Sequence, residues 1–160
     1  MNKLEQIKQP ILAEFEVFNR KFDASLQSSN PLLSEVISFI KQRKGKMMRP
    51  MLALLMAKMC GEINDSTYNV AISLELLHTA SLVHDDVVDE SDKRRGQSSV
   101  NAIYDNKVSV LVGDYLLATC LANAAMTSNV QLVELVGKLG QELSEGEIIQ
   151  LSNTNIPSFV

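Results

Sequence analysis

The chain has 160 residues, of which 46% are hydrophobic and 21% are charged, and its formal net charge is −4. This composition is that of a folded domain, and the small negative charge argues against nucleic acid or an anionic membrane as a partner. Cys60 and Cys120 each stand alone within an apolar run, which excludes a CxxC metal or redox motif and fits reduced thiols. We therefore predict a soluble, cytoplasmic chain that forms a single domain over residues 1–160.

Apolar residues recur at helical spacing throughout, and no Asn-Gly or Asp-Gly pair marks a tight hairpin, so the sequence predicts helices and no strand. The first helix is expected over residues 3–22, followed by a polar break over residues 23–30. Asn30 and Pro31 then form an N-cap and first turn for a helix that reaches Arg43.

The second half of the chain continues in the same way. Gly45 breaks the preceding helix, Pro50 opens the next one, and Gly61 ends it. Asn64 or Asp65 caps a long helix that runs into a cluster of acidic residues. After a short segment, "SSVNAIYDN", the last predicted helices cover residues 108–126 and 129–151.

The segment 108–126 is long enough to suggest a membrane span, but Asp114 lies near its middle and a charge at bilayer depth is costly. A helix buried in protein is the better interpretation. Several helices are apolar on all sides, and a chain of this size rarely buries more than one such helix. The terminal stretch "LSNTNIPSFV" adds no closing element. We predict an all-α helical bundle that forms part of a larger one.

The stretch "LVHDDVVDESDKRRG", residues 82–96, holds five acidic side chains followed by three basic ones at the end of the long helix. Acidic groups are disfavoured there, because the helix dipole is already negative. At 100° per residue, His78, Asp85 and Asp89 lie within about 40° of one another. Asp86 lies to the side. A few oxygen ligands on an open helix end predict Mg²⁺ that keeps waters and binds substrate phosphates.

The basic residues suit the same kind of ligand. Arg94 and Arg95 can hold a diphosphate through planar, bidentate contacts while Mg²⁺ bridges it to the carboxylates. Lys46 and Arg49 stand three apart at the opening of a helix, which favours an anion. Taken singly, each feature has a plainer interpretation: solvated bases, a satisfied core histidine at His78, a solvated acidic helix end. Together they predict two polyanions, one of them metal-bound, in a single cleft.

Four pieces of the sequence carry a resemblance to a known family: "GKMMRP", "LELLHTASLVHDDVVDESDKRRG", "SVLVGDYLLA" and "GEIIQL". In this order and spacing the chain resembles the trans-isoprenyl diphosphate synthases, also called polyprenyl synthetases. The "DDVVD" segment matches the family's first aspartate-rich motif, DDxxD. The resemblance spans nearly the whole chain and implies the all-α isoprenoid synthase fold.

The resemblance also implies a role for each matched residue. Asp85 and Asp89, helped by Asp86, would hold Mg²⁺ on the allylic diphosphate, and Arg94 would bind that same diphosphate. The diphosphate of isopentenyl diphosphate would be bound by Lys46, Arg49, His78 and Arg95. The implied reaction is the Mg²⁺-dependent, head-to-tail condensation of the two diphosphates, and members of the family are usually homodimers.

The resemblance implies a product length as well. The growing chain would run along the helix face below Asp85, where Ala80 and Ser81 are small and short-chain members carry bulky aromatics. Leu74 and Leu77 lie deeper and would form a later floor. These residues point to a long-chain product, such as an octaprenyl group for a quinone side chain.

The chain departs from the family pattern in two ways. Met47 and Met48 fill the positions between Lys46 and Arg49 where a further base is common, which removes one charge from the isopentenyl site. The second aspartate-rich motif and its Lys-Thr pair do not occur, and the family's synthases are about twice as long. We therefore expect the N-terminal half of a synthase, with little or no activity by itself.

Three other hypotheses remain open. A natural non-catalytic partner subunit of a heteromeric prenyl synthase would not need intact metal and diphosphate motifs. A class I terpene cyclase also has an aspartate-rich motif but lacks a second diphosphate substrate for the "GKxxRP" and "RRG" elements. A helical scaffold with an acidic cap leaves the ordered basic residues unexplained.

Overall fold

A computed structural model describes residues 1–43 and 45–155. Its N-terminal segment consists of α1 (Lys3–Lys8), a 3-10 turn (Gln9–Ile11) and α2 (Leu12–Ser25). The prediction of one continuous helix here is wrong. Pro10 has no N–H to donate and its ring collides with the preceding turn, so the chain tightens into the 3-10 turn before the helix resumes.

Three helices follow: α3 (Pro31–Lys41), α4 (Met48–Cys60) and α5 (Asp65–Val88). The predicted caps are present, because the side chain of Asn30 accepts from the N–H of Leu33, and that of Asn64 from the N–H of Thr67. The helix α4 begins two residues before Pro50, which therefore sits inside the first turn instead of opening it.

A small hairpin corrects the prediction of no strand. Two residues of β1 (Lys93–Arg94) pair antiparallel with two of β2 (Gln97–Ser98). The turn residues Arg95 and Gly96 both have positive φ, 51° and 78°, which is the backbone of a type I′ turn. Arginine is uncommon in such a turn, so the dipeptide Arg95-Gly96 did not indicate a hairpin in the sequence.

The chain ends in α6 (Val100–Tyr104), α7 (Asn106–Ala125) and α8 (Val130–Asn155). The last two correspond to the predicted helices 108–126 and 129–151. The all-α prediction is confirmed, and the hairpin is a local exception. Residues 156–160 of the predicted domain lie outside the described residues.

The helix α5 forms the centre of the fold, with α7 and α4 as its main neighbours and α2, α6 and α8 also in contact. Leu76 and Ala80 are fully buried along it. The α5–α7 contact is close: the hydroxyl of Ser73 donates to the carbonyl of Cys120 across a 3.0 Å distance. The middle of α5 is therefore held by the helices around it.

Large apolar side chains are exposed on several helices, most of them on α4, α7 and α8. They include Leu52, Met56 and Met59 on α4, Leu111 and Leu121 on α7, and Leu135, Ile148 and Ile149 on α8. By length and composition α7 could cross a bilayer, and 39% of its most apolar window is buried. A core helix of a soluble protein passes the same test, so the soluble interpretation remains a prediction.

Candidate active site

A cavity of about 560 Å³ lies on one side of α5 and carries the basic residues of the sequence motifs. Its rim is formed by Lys46, Arg49, His78, Arg94 and Arg95. Its floor is apolar and is built by Phe22, Leu26, Ile37, Leu76, Val83 and Leu116. We call this space the cationic cavity. It matches the chemistry of a ligand with an anionic head and an apolar tail.

The cationic rim is assembled from three separate segments. Arg49 stands in the first turn of α4, directly after Met47, whose left-handed backbone (φ 54°) turns the loop into the helix. Arg95 arrives from the hairpin turn and lies against Gly45, where an added Cβ would come within 2.7 Å of its Nη1 atom. Glycine at position 45 therefore makes the room in which the guanidinium sits.

Asp86 and Arg94 form the tightest polar contact in the described part of the site. Arg94 donates from Nε to both carboxylate oxygens of Asp86, at 3.1 and 2.9 Å, and from Nη2 to Oδ1 at 2.7 Å. Asp86 is only 4% exposed. This bidentate pair raises the pKa of Arg94 and ties the hairpin to the last turn of α5.

Besides Asp86, two titratable side chains on α5, His78 and Glu75, face the cationic cavity. Burial, together with the charges of Arg49, Arg95 and Arg94, lowers the pKa of His78 to about 4, so the imidazole is neutral at physiological pH. One turn earlier, burial raises the pKa of Glu75, against the opposing effect of Arg49 and Arg95. Burial is the largest cause of both shifts, and the positive charge of the rim adds to the shift of His78 but opposes that of Glu75.

A second space, the acidic groove, lies on another side of α5, against α8. It measures about 750 Å³ and is lined by Leu77, Ser81, His84 and Asp85 from α5 and by Leu143, Glu147 and Ile148 from α8. Among the described residues the basic side chains line the cationic cavity together with Asp86 and Glu75, and Asp85 and Glu147 line the acidic groove. That both belong to a single cleft remains a prediction.

The carboxylates around the acidic groove repel one another. Burial and the neighbouring charge of Asp89 raise the pKa of Asp85, and burial, Asp85 and Asp89 raise the pKa of Glu147. Asp89 is exposed at the C-cap of α5. Among the described residues, one oxygen of Glu147 is covered and has no hydrogen-bond partner.

No three His, Cys, Asp or Glu side chains of residues 1–43 and 45–155 converge into a metal site by themselves. Mg²⁺ in phosphate-handling enzymes takes one or two carboxylates and completes its shell with waters and phosphate oxygens. Asp85 and Asp89, one turn apart on an open helix end, fit that requirement. The donor set suits a metal ion that arrives with a phosphate.

His84 fixes the acidic end of α5 against α7. Its Nε2 atom lies 3.1 Å from the carbonyl oxygen of Val110 and 3.3 Å from Oδ1 of Asp114. The imidazole occupies the space beside Gly113, where an added Cβ would overlap the ring. The residue next to Asp85 is therefore anchored in the "VGD" segment of α7.

The structure divides the residues that the sequence singled out. It brings Lys46, Arg49, His78, Arg94 and Arg95 together with Asp86 at the cationic cavity, and Asp85, Ser81 and Leu77 at the acidic groove. Ala80 is buried in the core, Leu74 is half-buried, and neither lines one of the two spaces.

Sequence reasoning missed two carboxyl groups, Glu75 and Glu147. Glu75 is the single acid in the apolar stretch "SLELLHTA", and Glu147 belongs to "GEIIQL", a motif piece to which no role was given. A charged residue within an otherwise apolar helix was the signal available for Glu75.

Known proteins resemble the chain in sequence and in fold. The octaprenyl diphosphate synthase of Haemophilus influenzae is 36% identical over 154 residues, which are 96% of this chain and 47% of that protein. A geranylgeranyl pyrophosphate synthase structure from Bacteroides thetaiotaomicron is 51% identical, with a TM-score of 0.74, and the match covers 96% of this chain and 44% of that one.

A third match is a Caulobacter crescentus polyprenyl synthase whose structure holds calcium and isoprenyl diphosphate. It is 29% identical with a TM-score of 0.89, and the match covers 98% of this chain and 48% of that one. The chain thus spans about half the length of the relatives it matches. The polyprenyl synthetase family model matches residues 30–159. The chain belongs to the polyprenyl synthetase family.

Proposed function

We propose that the chain provides two diphosphate-binding sites of a polyprenyl diphosphate synthase, one in the cationic cavity and one at the acidic end of α5, so placed that the apolar parts of the two substrates can meet. The observation that carries the proposal is the uneven distribution of charge: the cationic cavity is lined mostly by bases, with Asp86 and Glu75 among them, whereas Asp85, Glu145 and Glu147 line the acidic groove. One diphosphate is held by direct cationic contacts and the other through a metal ion. Such a division suits two substrates that carry the same anionic group and play different parts in the reaction.

We assign the cationic cavity to isopentenyl diphosphate. Lys46, Arg49 and Arg95 supply positive charge to its diphosphate, and neutral His78 supplies a hydrogen bond. The apolar floor below receives the five-carbon tail. A helix N-terminus at Arg49 adds oriented N–H groups to the same anion.

We assign the acidic groove to the allylic diphosphate. Asp85 and Asp89 would hold Mg²⁺, which neutralises the departing diphosphate when it is bound. Asp86 was predicted as a third metal ligand, but its carboxylate is engaged by Arg94, so we assign it to orienting that guanidinium. The pair uses Nε and Nη2 of Arg94. Because Arg94 lines the cationic cavity but also interacts with the charges of Asp85 and Asp89, we assign its Nη1 to the allylic diphosphate that those aspartates would hold.

The reaction would proceed by ionisation and addition. The bond between C1 and oxygen of the allylic substrate breaks, and the electron pair leaves with the diphosphate. The double bond of isopentenyl diphosphate attacks C1 and forms the new carbon–carbon bond. The resulting cation loses a proton to the released diphosphate, which leaves a chain that is five carbons longer. The side chains contribute charge stabilisation and positioning, and no protein nucleophile takes part.

We propose a long-chain product of the octaprenyl class, in a homodimeric cytoplasmic enzyme. Ser81 and Leu77 line the acidic groove below Asp85 and leave it open. In an active synthase containing this sequence, Ser81→Phe should shorten the product to farnesyl or geranylgeranyl length, because packed interiors yield little. Chromatography of the dephosphorylated products measures this, and an unchanged long product would place the growing chain on another face.

The test of the cationic assignment is binding of isopentenyl diphosphate in buffer without divalent metal, measured by calorimetry. Arg49→Gln should weaken binding at least tenfold. Arg20→Gln is the matched control, because this exposed arginine on α2 does not line the cavity, and it should bind as wild type does. Equal binding by the two variants would refute the assignment.

A role as a partner subunit is the second candidate, and the exposed apolar faces of α4, α7 and α8 favour it. Both candidates predict little turnover by the 160-residue chain alone. They differ in substrate binding: a non-catalytic partner need not bind isopentenyl diphosphate, whereas the synthase assignment requires it.

A further inference from the structure

Glu75 is an acid at a site built for an anion. Its side chain lines the cationic cavity, one helical turn before His78, and the residue is 9% exposed. Among the described residues its Oε2 atom is covered and has no hydrogen-bond partner. A buried carboxyl oxygen without a partner normally costs about 1–3 kcal/mol, more when it is charged, so its presence needs an explanation.

The charge around Glu75 comes from α3, α4 and the loop before it, the hairpin and α5 itself. The titratable and charged groups facing the cavity are Lys41 and Arg43 from the end of α3, Lys46 and Arg49 from α4 and the loop before it, Arg94 and Arg95 from the hairpin, and His78 and Asp86 from α5. The side chains that α6 and α7 present to it are Val100 and Leu116. Arg49 and Arg95 are the cations that act on Glu75.

These contacts constrain what happens when an anion binds. In the free chain the positive charges of Arg49 and Arg95 help to keep Glu75 ionised. A diphosphate that pairs with both guanidiniums neutralises that charge and adds negative charge of its own. An ionised carboxylate beside it would then be repelled and left without a donor.

We propose that Glu75 binds the diphosphate in the cationic cavity as a neutral carboxylic acid, donating a hydrogen bond from its O–H, so that diphosphate binding takes up one proton. This inference rests on the assignment of that cavity to a diphosphate. Protonation converts Glu75 from an acceptor that repels phosphate into a donor that contacts it. Glu75 is thus a binding residue that makes occupancy of the cavity depend on pH.

The direction of the pKa shift agrees with this geometry. Burial already raises the pKa of Glu75 in the free chain, so protonating it takes less free energy than protonating an exposed glutamate. His78 is the other group in the cavity that an anion would tend to protonate. Its pKa is about 4, so it starts further from protonation at neutral pH than a carboxyl whose pKa is raised.

The experiment is calorimetric binding of inorganic pyrophosphate to the 160-residue chain between pH 6 and pH 8, with EDTA to remove divalent metals. Titrations in buffers of different ionisation enthalpy give the number of protons taken up on binding. Wild type should take up about one proton more than Glu75→Gln near the upper end of this range, because protonation of pyrophosphate itself is common to both. Glu142→Gln, an exposed acid on α8, should match wild type.

Affinity gives a second, independent reading. The glutamine amide donates a hydrogen bond without needing a proton, so Glu75→Gln should bind pyrophosphate several-fold more tightly than wild type at pH 8 and about equally at pH 6. A tenfold loss of affinity in Glu75→Gln at pH 8 would overturn the inference. The inference would also be overturned if His78→Asn abolished the proton uptake that accompanies binding and Glu75→Gln retained it.

The outcomes separate this inference from the proposed function. No pyrophosphate binding by wild type would refute the cavity assignment and the inference with it, whereas binding with equal proton counts in wild type and Glu75→Gln would refute the inference alone. A measurement on the unmodified chain covers the case in which Glu75→Gln does not fold. The ¹³C signal of the Glu75 carboxyl should move to its protonated position when pyrophosphate is added at pH 7.5, and an unmoved signal would contradict the proposal.

Discussion

The two sides of α5 carry charges of opposite sign, and the side chains around them are held in different ways. At the cationic cavity, Arg94 is held by bidentate hydrogen bonds to Asp86, and Arg95 packs against Gly45. At the acidic groove, the charges of Asp85 and Asp89 repel each other. Beside them α8 presents exposed apolar side chains, such as Ile148.

The difference shows which site the chain completes by itself. The cationic cavity offsets its positive charge with Asp86 and Glu75, so its geometry exists before a ligand binds. At the acidic groove Arg94 and His84 offset the charge of Asp85 only in part, because burial and Asp89 still raise its pKa. The first site is therefore the more preorganised of the two, and a cation bound near Asp85 and Asp89 would relieve the repulsion at the second.

The largest expected effect comes from breaking the fixed contact at the cationic cavity. Asp86→Asn leaves the Arg94 guanidinium half-buried without its counter-charge and should lower the free energy of unfolding by about 2–3 kcal/mol. Urea unfolding followed by circular dichroism measures this. Asp92→Asn, an exposed acid in the neighbouring loop, is the matched control and should stay within about 0.5 kcal/mol of wild type. Equal stabilities of the two variants would show that the pair is not structural.

The next effect tests how the acidic end of α5 is anchored. Gly113→Ala places a methyl group where the His84 ring lies and should destabilise the chain by about 2 kcal/mol. Gly137→Ala is the matched control, because that helical glycine has nothing within 4 Å of an added Cβ. It should stabilise by about 0.5–1 kcal/mol through helix propensity alone. If both substitutions changed the free energy of unfolding in the same direction, the His84 ring would not need the space beside Gly113.

A smaller effect concerns the pH dependence of the cationic cavity. The pKa of His78 is about 4 in the folded chain and about 6.5 unfolded. Between these values the unfolded state binds more protons, so stability contributed by this group is present above pH 6.5 and is lost as the pH falls towards 4. Because the side chain is partly exposed, we expect about 2 kcal/mol.

Replacing His78 by glutamine isolates that contribution. The loss of unfolding free energy between pH 7 and pH 4.5 should be smaller in His78→Gln than in wild type, as measured by urea titration at each pH. An identical pH dependence in the two proteins would mean that the histidine is solvated.

The smallest effect has the opposite sign. Asp85→Asn removes one of two repelling carboxylates near a helix C-terminus and should stabilise the chain by about 0.5–1 kcal/mol in metal-free buffer. Thermal unfolding with EDTA measures this, next to Asp86→Asn under the same conditions. Adjacent aspartates should thus shift stability in opposite directions. A destabilised Asp85→Asn would mean that this carboxylate is part of the structural framework.

The helices were predictable because their apolar residues recur at helical spacing and their caps are chemically specific, as at Asn30 and Asn64. The break at Pro10 followed from proline chemistry but was hidden within a long amphipathic pattern. The hairpin was not predictable, because Arg95 adopts a left-handed conformation in a turn whose usual sequence signals are absent. A ladder of only two residue pairs is too short to produce the alternation of apolar and polar residues that marks a strand.

The sequence singled out the charged residues by motif and spacing, but it did not predict beside which of the two spaces each one lies; their roles remain predictions. Helical spacing places His78 and Asp85 at nearly the same angle on α5, yet one opens into the cationic cavity and the other into the acidic groove. Residue spacing gives the angle of a side chain around the helix axis. It does not show which neighbouring element packs against that face at each position along the axis. The contact between Asp86 and Arg94, eight residues apart, likewise depends on the hairpin that turns the chain back.

The measurement that tests the central claim most directly is calorimetric binding of pyrophosphate with and without Mg²⁺ to wild type, Arg49→Gln and Asp85→Asn. Two independent sites on α5 predict one binding event without metal, lost in Arg49→Gln and kept in Asp85→Asn. With Mg²⁺ a second event should appear that Asp85→Asn loses and Arg49→Gln keeps. A single event abolished equally by both substitutions would contradict the account.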